Sequence, residues 1–487
     1  MGVLHWLDWL IIVVYLAGMV GIGVWLTSKH KSFDDFFLAG RALTTPILVT
    51  TLVSTYYGID VLFGTSELGF ESGVVAWFGY SRPFYIFYLL AAFLLAKRLR
   101  AEEFRSLPDI LFRYYGNPSR YLGATASFVY SLPVLALFGF GKVAEVVFGW
   151  DPMLGALVLG GVALAYTLTG GFWAVALTDS IQFVLMCVVV GVVTVFAIDA
   201  LGGFPAFEAA LPSRYWDQMG GEDPWLIAIY AMTGLTVLVE PTFYQRIFAA
   251  RSYKNVRNAL LIGLFVWSAY DWCVTLLGMA AKAGIANGLV AANVHPNSAL
   301  LAIVVATVPA GVLGLFLAGV LSTSMSTVDS YCLVAGGNVA YDIYRPILKP
   351  QATDRQLIKA TRAGILLSWL CGFLLAFYFE RMLALWVFIA SMLTSTVFIP
   401  IMLGLFMPRW RRPRAGFYSA LAGLVSAVVF YAALGIWGGA EDGTRFLVLD
   451  FGGAPFKILE EYAMFFTLPL SLSGFFLGLL FSRKEAP

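Results

Sequence analysis

The chain has 487 residues, 60% of them hydrophobic and only 12% charged, with a mean hydropathy of +0.82 and a net charge of +2. Soluble domains carry about 25% charged residues, so the composition excludes an ordinary soluble globule and predicts an all-α polytopic membrane protein. Cys187, Cys273, Cys332 and Cys371 all lie in apolar runs, which excludes a disulfide framework, and His5, His30 and His295 are too few for a histidine-rich metal site or a Ser-His-Asp set. Neither an organic cofactor nor enzymatic chemistry is therefore expected.

In chain order, thirteen apolar runs are long enough to cross a hydrocarbon core about 30 Å thick. They are 6–27, 44–70, 73–97, 120–148, 153–169, 174–198, 225–248, 259–285, 311–340, 361–379, 382–406, 415–436 and 462–482. The first lacks a basic leader, so no cleaved signal is expected. The second is interrupted by Ser54, Thr55, Tyr56, Tyr57, Gly58 and Asp60, with Glu67 near its outer, wetted end. The third carries Arg82 and the fourth carries Lys142 with Glu145, three apart on one helix and able to neutralise each other. Runs five and six meet at Gly170-Gly171, and Asp179 brings a carboxylate into the second of them. The seventh is interrupted by Thr233, Gly234, Thr236, Glu240 and Pro241; the eighth contains Asp271. Residues 297–308 are too few to span and read as an interfacial helix. The ninth run is crowded with hydroxyls at Ser322, Thr323, Ser324, Ser326 and Thr327.

Intramembrane acids and hydroxyls are costly, so they mark an ion or solute path. Two runs broken beside an acid, five spans apart, form the pattern of inverted repeats whose unwound backbone lines a central cavity. With the N-terminus outside, 24 of the 31 Lys and Arg residues fall in inner loops, Arg246 among them, and five in outer loops. The positive-inside rule then sets the N-terminus outside and the C-terminus in the cytoplasm of a cell membrane. Basic clusters alternating with spans are topology signals, so no nucleic-acid partner is expected.

Four stretches carry a resemblance: Phe37–Arg41, Leu107–Gly116, Tyr166–Gln182 and Leu321–Tyr344, with shorter agreement at Gln245-Arg246 and Ala249–Ser252. They resemble the sodium/solute symporter family, whose members carry proline, sugars, monocarboxylates and vitamins. The resemblance implies a LeuT-like 5+5 inverted-repeat core. It divides the chain into 1–43 (an extra N-terminal helix and loop), 44–200 (first repeat), 201–410 (second repeat) and 411–487 (two extra helices). It implies a sodium site from Ser326, Thr327 and Thr323 hydroxyls with backbone carbonyls near Ser54 and Tyr57. A hard cation takes oxygen ligands, and the i, i+3, i+4 spacing of 323, 326 and 327 sets them on one face.

Asp179 matches the family's acid in its sixth span. Asp329 stands where a serine is usual, beside Ser330, so these three residues imply a second cation or proton site. Glu240-Pro241 aligns with the Gln-Pro of proline carriers; with Gly58 and Asp60 at the opposite break it forms the expected solute site. The function expected is sodium-coupled import of a small organic solute by alternating access, an amino acid or other nitrogen compound being favoured. Its partners are that solute, Na+ and the lipid bilayer. A proton-coupled or uncoupled permease of the same fold, a sugar or monocarboxylate symporter, and a transporter-like sensor or channel are the rivals.

Overall fold

The structure, a computed structural model, describes residues 4–26, 32–377, 382–441, 444–450 and 455–482. Trp6–Leu26 (α1) begins with an acid, Asp8, that is buried. Its Oδ1 accepts the Gly311 and Gly314 N–H groups at 2.7 and 2.8 Å, at the start of a distant helix. A carboxylate there satisfies N–H groups that have no intrahelical partner.

Thr45–Tyr56 (α2) and Ile59–Ser72 (α3) are the two halves of the first broken span, bent by 55°. Tyr57 ends α2 at φ −91°, ψ 59°, and Gly58 is extended at φ −64°, ψ 172°, so the helical ladder stops between them. A continuous helical run from 76 to 101 follows, with Arg82–Leu90 (α4) at its centre. Asn117–Tyr130 (α5) and Val134–Val143 (α6) flank Pro133. Helix then runs from Pro152 to Ala200, but Gly171, at φ 58°, breaks it into the arms Pro152–Leu168 (α7) and Gly170–Ala200 (α8). Only glycine adopts that φ without steric cost.

The second broken span is Pro224–Thr233 (α9), a 3₁₀ turn over Gly234–Leu238, and Pro241–Ala249 (α10). Pro241 cannot continue a helix from before it but suits the first position of a new one. Tyr253–Ala286 (α11), the short Pro296–Thr307 (α12), Val312–Gly337 (α13), Asp354–Ala376 (α14) and Met382–Phe406 (α15) complete the central set. Pro413–Trp437 (α16) and Ala463–Phe481 (α17) pack on each other. Packing without a hydrophobic drive needs small residues at contacts. A Cβ at Gly278 of α11 would lie 2.1 Å from the Ser66 carbonyl oxygen of α3, so only glycine allows those helices so close.

Each of the thirteen expected stretches is helical over most of its described residues. Ten described helices are long and apolar enough to cross a membrane, eleven with α2 and α3 counted as one bent span. α12 stands where the interfacial helix was expected. Between α16 and α17 the chain adds an antiparallel sheet of Gly439–Glu441 (β1), Thr444–Asp450 (β2) and Pro455–Leu459 (β3), which hydropathy gave no reason to expect. Phe446 pairs with Leu459 and Val448 with Lys457 across its register. Glu67 is buried rather than wetted; the Asn297 amide, turned over, donates to its carboxylate at 2.7 Å.

Candidate functional site: an aromatic cavity above a buried polar cluster

A cavity holding about 1110 Å³ of empty space, its mouth included, lies between the two broken spans. Thr55, Tyr56 and Tyr57 border it from the first break, and Thr233, Thr236 and Val237 from the second. Half of its twenty described lining residues are aromatic: eight tyrosines, Phe84 and Trp386. Among those described residues the sole charge is Asp271, from the middle of α11. Its Oδ2 accepts the Tyr85 hydroxyl at 2.5 Å, while its buried Oδ1 has no hydrogen-bond partner.

Beneath the Thr55 floor sits a fully packed polar cluster. Thr51, Ser54 and Thr55 recur at i, i+3 and i+4 and so share a face of α2. The Ser54 hydroxyl donates to Ser326 Oγ at 3.0 Å, and Ser326 donates to Asp179 Oδ1 at 2.5 Å. Asp179 Oδ2 accepts from the Thr51 hydroxyl and, at 3.3 Å, from the Arg246 guanidinium. Arg246, 1% exposed, also donates to the Thr55 hydroxyl, to Ser330 Oγ at 2.7 Å and to the Thr242 carbonyl at 3.1 Å. Its guanidinium carbon lies 5.3 Å from the centre of the Phe172 ring, just after the Gly171 break. Asp329 Oδ2 accepts the Tyr166 hydroxyl at 3.0 Å and its Oδ1 accepts Ser330 Oγ at 3.2 Å.

The expected site residues fall into three groups. Ser54, Ser326, Asp179, Asp329 and Ser330 are drawn together from α2, α8 and α13. Asp179 and Asp329 do not hydrogen-bond each other; Arg246 and Ser330 link them. Thr323 and Thr327 lie nearby on α13, each donating to its own helix, to the Val320 carbonyl at 2.8 Å and the Thr323 carbonyl at 3.0 Å. A hydroxyl that donates still has lone pairs to offer a cation. Tyr57 lies at the break, its own hydroxyl donating to the Trp267 carbonyl at 2.9 Å. In the solute group, Glu240 is the N-cap of α10: its carboxylate accepts Phe243 N–H and, at 2.6 and 2.8 Å, the Thr242 hydroxyl. Gly58, Glu240 and Pro241 are not among the residues that line the aromatic cavity. The Asp60 side chain lies outside the described residues.

Two residues acquire their importance only in three dimensions. Arg246, counted above with the inner-loop cations, is instead buried in the cluster. Thr242, Gln245 and Arg246 at i, i+3 and i+4 on a half-helix that opens with Glu240-Pro241 were the signal that it faces inward. Asp271, noted above only as an acid within the eighth run, is the sole charge among the described residues that line the cavity. The remaining anomalies are structural: Lys142 Nζ meets Glu145 Oε2 at 3.0 Å, and exposed Arg82 lies over the Phe78 ring.

Known proteins resemble this chain in sequence and in fold. The family model described as "Sodium:solute symporter family" matches residues 36–425. The osmoregulated proline transporter OpuE of Bacillus subtilis is 26% identical over 384 residues, 74% of this chain and 76% of that protein. Sodium/glucose cotransporter 4 of Danio rerio is 23% identical over 405 residues, 74% of this chain and 61% of that protein. Among solved structures, the substrate-bound outward-open state of a Na+-coupled sialic acid symporter superposes with a TM-score of 0.82 at 16% identity, over 98% of this chain and 99% of that one. The architecture is thus LeuT-like, of the transporter kind and not that of an enzyme, and the chain belongs to the sodium:solute symporter family.

Proposed function

We propose that the protein couples inward sodium flow to uptake of a small nitrogen-bearing organic solute across the cell membrane, with its N-terminus outside. The reading rests on one observation above all: the hydroxyl chain from Ser54 through Ser326 to Asp179 joins a broken helix to two unbroken ones in a sodium-coupled family. Sodium, as co-substrate, takes Ser326, Thr327 and Thr323 oxygens with backbone carbonyls at Ser54 and Tyr57. Filling that site ties α2 to α13 and so favours one arrangement of the repeats 44–200 and 201–410 over the other. A ligand drives alternating access by binding one state better than the other.

Around Asp179, Asp329 and Ser330 the Arg246 guanidinium already supplies a positive charge. This favours one sodium per solute over a second bound cation. Relatives named for proline and glucose differ in chemistry, so family alone does not select the solute; the aromatic cavity with its single acid favours a nitrogen compound over a sugar or a monocarboxylate.

Purified protein in proteoliposomes, given an inward sodium gradient and a panel of labelled amino acids, amines, sugars and monocarboxylates, tests the reading. Accumulation of a nitrogen compound that collapses with a sodium ionophore is expected. Accumulation driven by a proton gradient and indifferent to sodium would refute it.

A further inference from the structure

Resting on that reading of the cavity as the solute site, we infer that the solute is an organic ammonium cation without a carboxylate, held by Asp271 inside an aromatic cage. The first ground is the acid. Asp271 is 4% exposed and Oδ1 has no hydrogen-bond partner, yet no Lys or Arg is among the described residues around the cavity. A buried carboxylate without a counter-charge is unfavourable, and a cationic ligand supplies the missing charge as well as filling the space.

The second ground is the wall. Ring faces attract cations, most of all ammonium groups shielded from water by methyl substituents. Tyr85 bonds Asp271, Tyr56 and Tyr88 meet edge to face at 5.2 Å, and Tyr130 stacks with Tyr331 at 5.8 Å. Tyr80 and Tyr230, 4.7 Å apart, extend the wall towards Glu461, which accepts the Tyr230 hydroxyl at 3.0 Å. Ser72 nearby bonds Glu222. Acids at that end raise the local concentration of cations.

The third ground concerns what a carboxylate on the solute would meet. An anion could use the N-terminus of a half-helix. At α10 that place is already taken by the Glu240 carboxylate. A neutral sugar, for its part, would leave the Asp271 charge uncompensated.

The experiment uses purified full-length protein with choline and tetramethylammonium as probes, set against glycine betaine, proline, glucose and pyruvate. Binding is read by tryptophan fluorescence, since Trp386 lines the cavity, and transport by uptake into proteoliposomes. The two cations are expected to bind best, with Asp271→Asn weakening them by roughly tenfold or more, the scale of a desolvated cation contact. Asp271→Glu restores part of that loss, and Tyr85→Phe causes a smaller one. Melting temperatures of each variant separate loss of fold from loss of ligand.

Binding of choline that ignores sodium would support the cage while overturning sodium coupling. Sodium-driven accumulation of glucose, pyruvate or proline, with choline excluded, would keep the coupling and overturn the cage. So would choline binding of wild-type strength in a folded Asp271→Asn variant.

Discussion

Replacing Ser326 and Thr327 together by Ala isolates the sodium site from the solute site. Ser326 Oγ lies 3.0 Å from Ser54 Oγ and 2.5 Å from Asp179 Oδ1, so its loss removes an ion ligand and a donor to a buried carboxylate. A hydrogen bond to a charged group contributes about 1.5–3 kcal/mol, which corresponds to a sodium midpoint raised by about ten- to a hundredfold. The assay needs no knowledge of the solute, because a ligand bound only by the native state stabilises it by RT ln(1 + [Na+]/Kd). At a sodium concentration of 100 times the wild-type Kd, the wild type gains about 2.7 kcal/mol and a variant bound tenfold more weakly about 1.4 kcal/mol. Melting curves over a sodium series give both midpoints, with choline chloride avoided as the replacement salt. Ser419→Ala serves as control: it breaks a buried hydroxyl pair with Ser471 at 3.1 Å between α16 and α17 and is expected to leave the sodium midpoint alone. A double variant with the wild-type midpoint would refute the assignment.

Arg246→Ala removes a guanidinium that hydrogen-bonds five residues and leaves Asp179 with an uncompensated buried charge, a loss of about 3–5 kcal/mol visible as poor yield or a lowered melting temperature. Arg246→Lys is expected to fall between, since an ammonium cannot reproduce the planar fork; a wild-type melting temperature for Arg246→Ala would remove the residue from the cluster's structural role. Glu240→Ala is expected to destabilise by about 0.5–2 kcal/mol as a lost N-cap while leaving the affinity for a bound cation nearly unchanged. The opposite pattern, unchanged melting with lost binding, would return Glu240 to the solute site.

The sequence by itself determined the membrane class, the helical stretches and the two broken spans, because each depends on a local property. Hydropathy over about 20 residues sets a span, and Gly58 or Glu240-Pro241 interrupts one, whatever surrounds them. The hydroxyl stripe at Ser326 and Thr327 and the acid at Asp179 were likewise legible, since a costly group at membrane depth announces itself. Tertiary structure alone decided which partner each such group meets. Tyr85 and Asp271 are 186 positions apart, and Thr51 and Arg246 are 195 apart. The Thr242, Gln245 and Arg246 stripe turns that guanidinium inward, but nothing in its neighbourhood names Asp179, 67 positions away, as the acid it meets. Nor does the Glu240-Pro241 dipeptide say whether its carboxylate faces a cavity or the N–H groups of its own helix. Those outcomes follow from how the two broken spans pack against α8, α11 and α13, because a buried charge takes its place from the donors that distant helices bring to it.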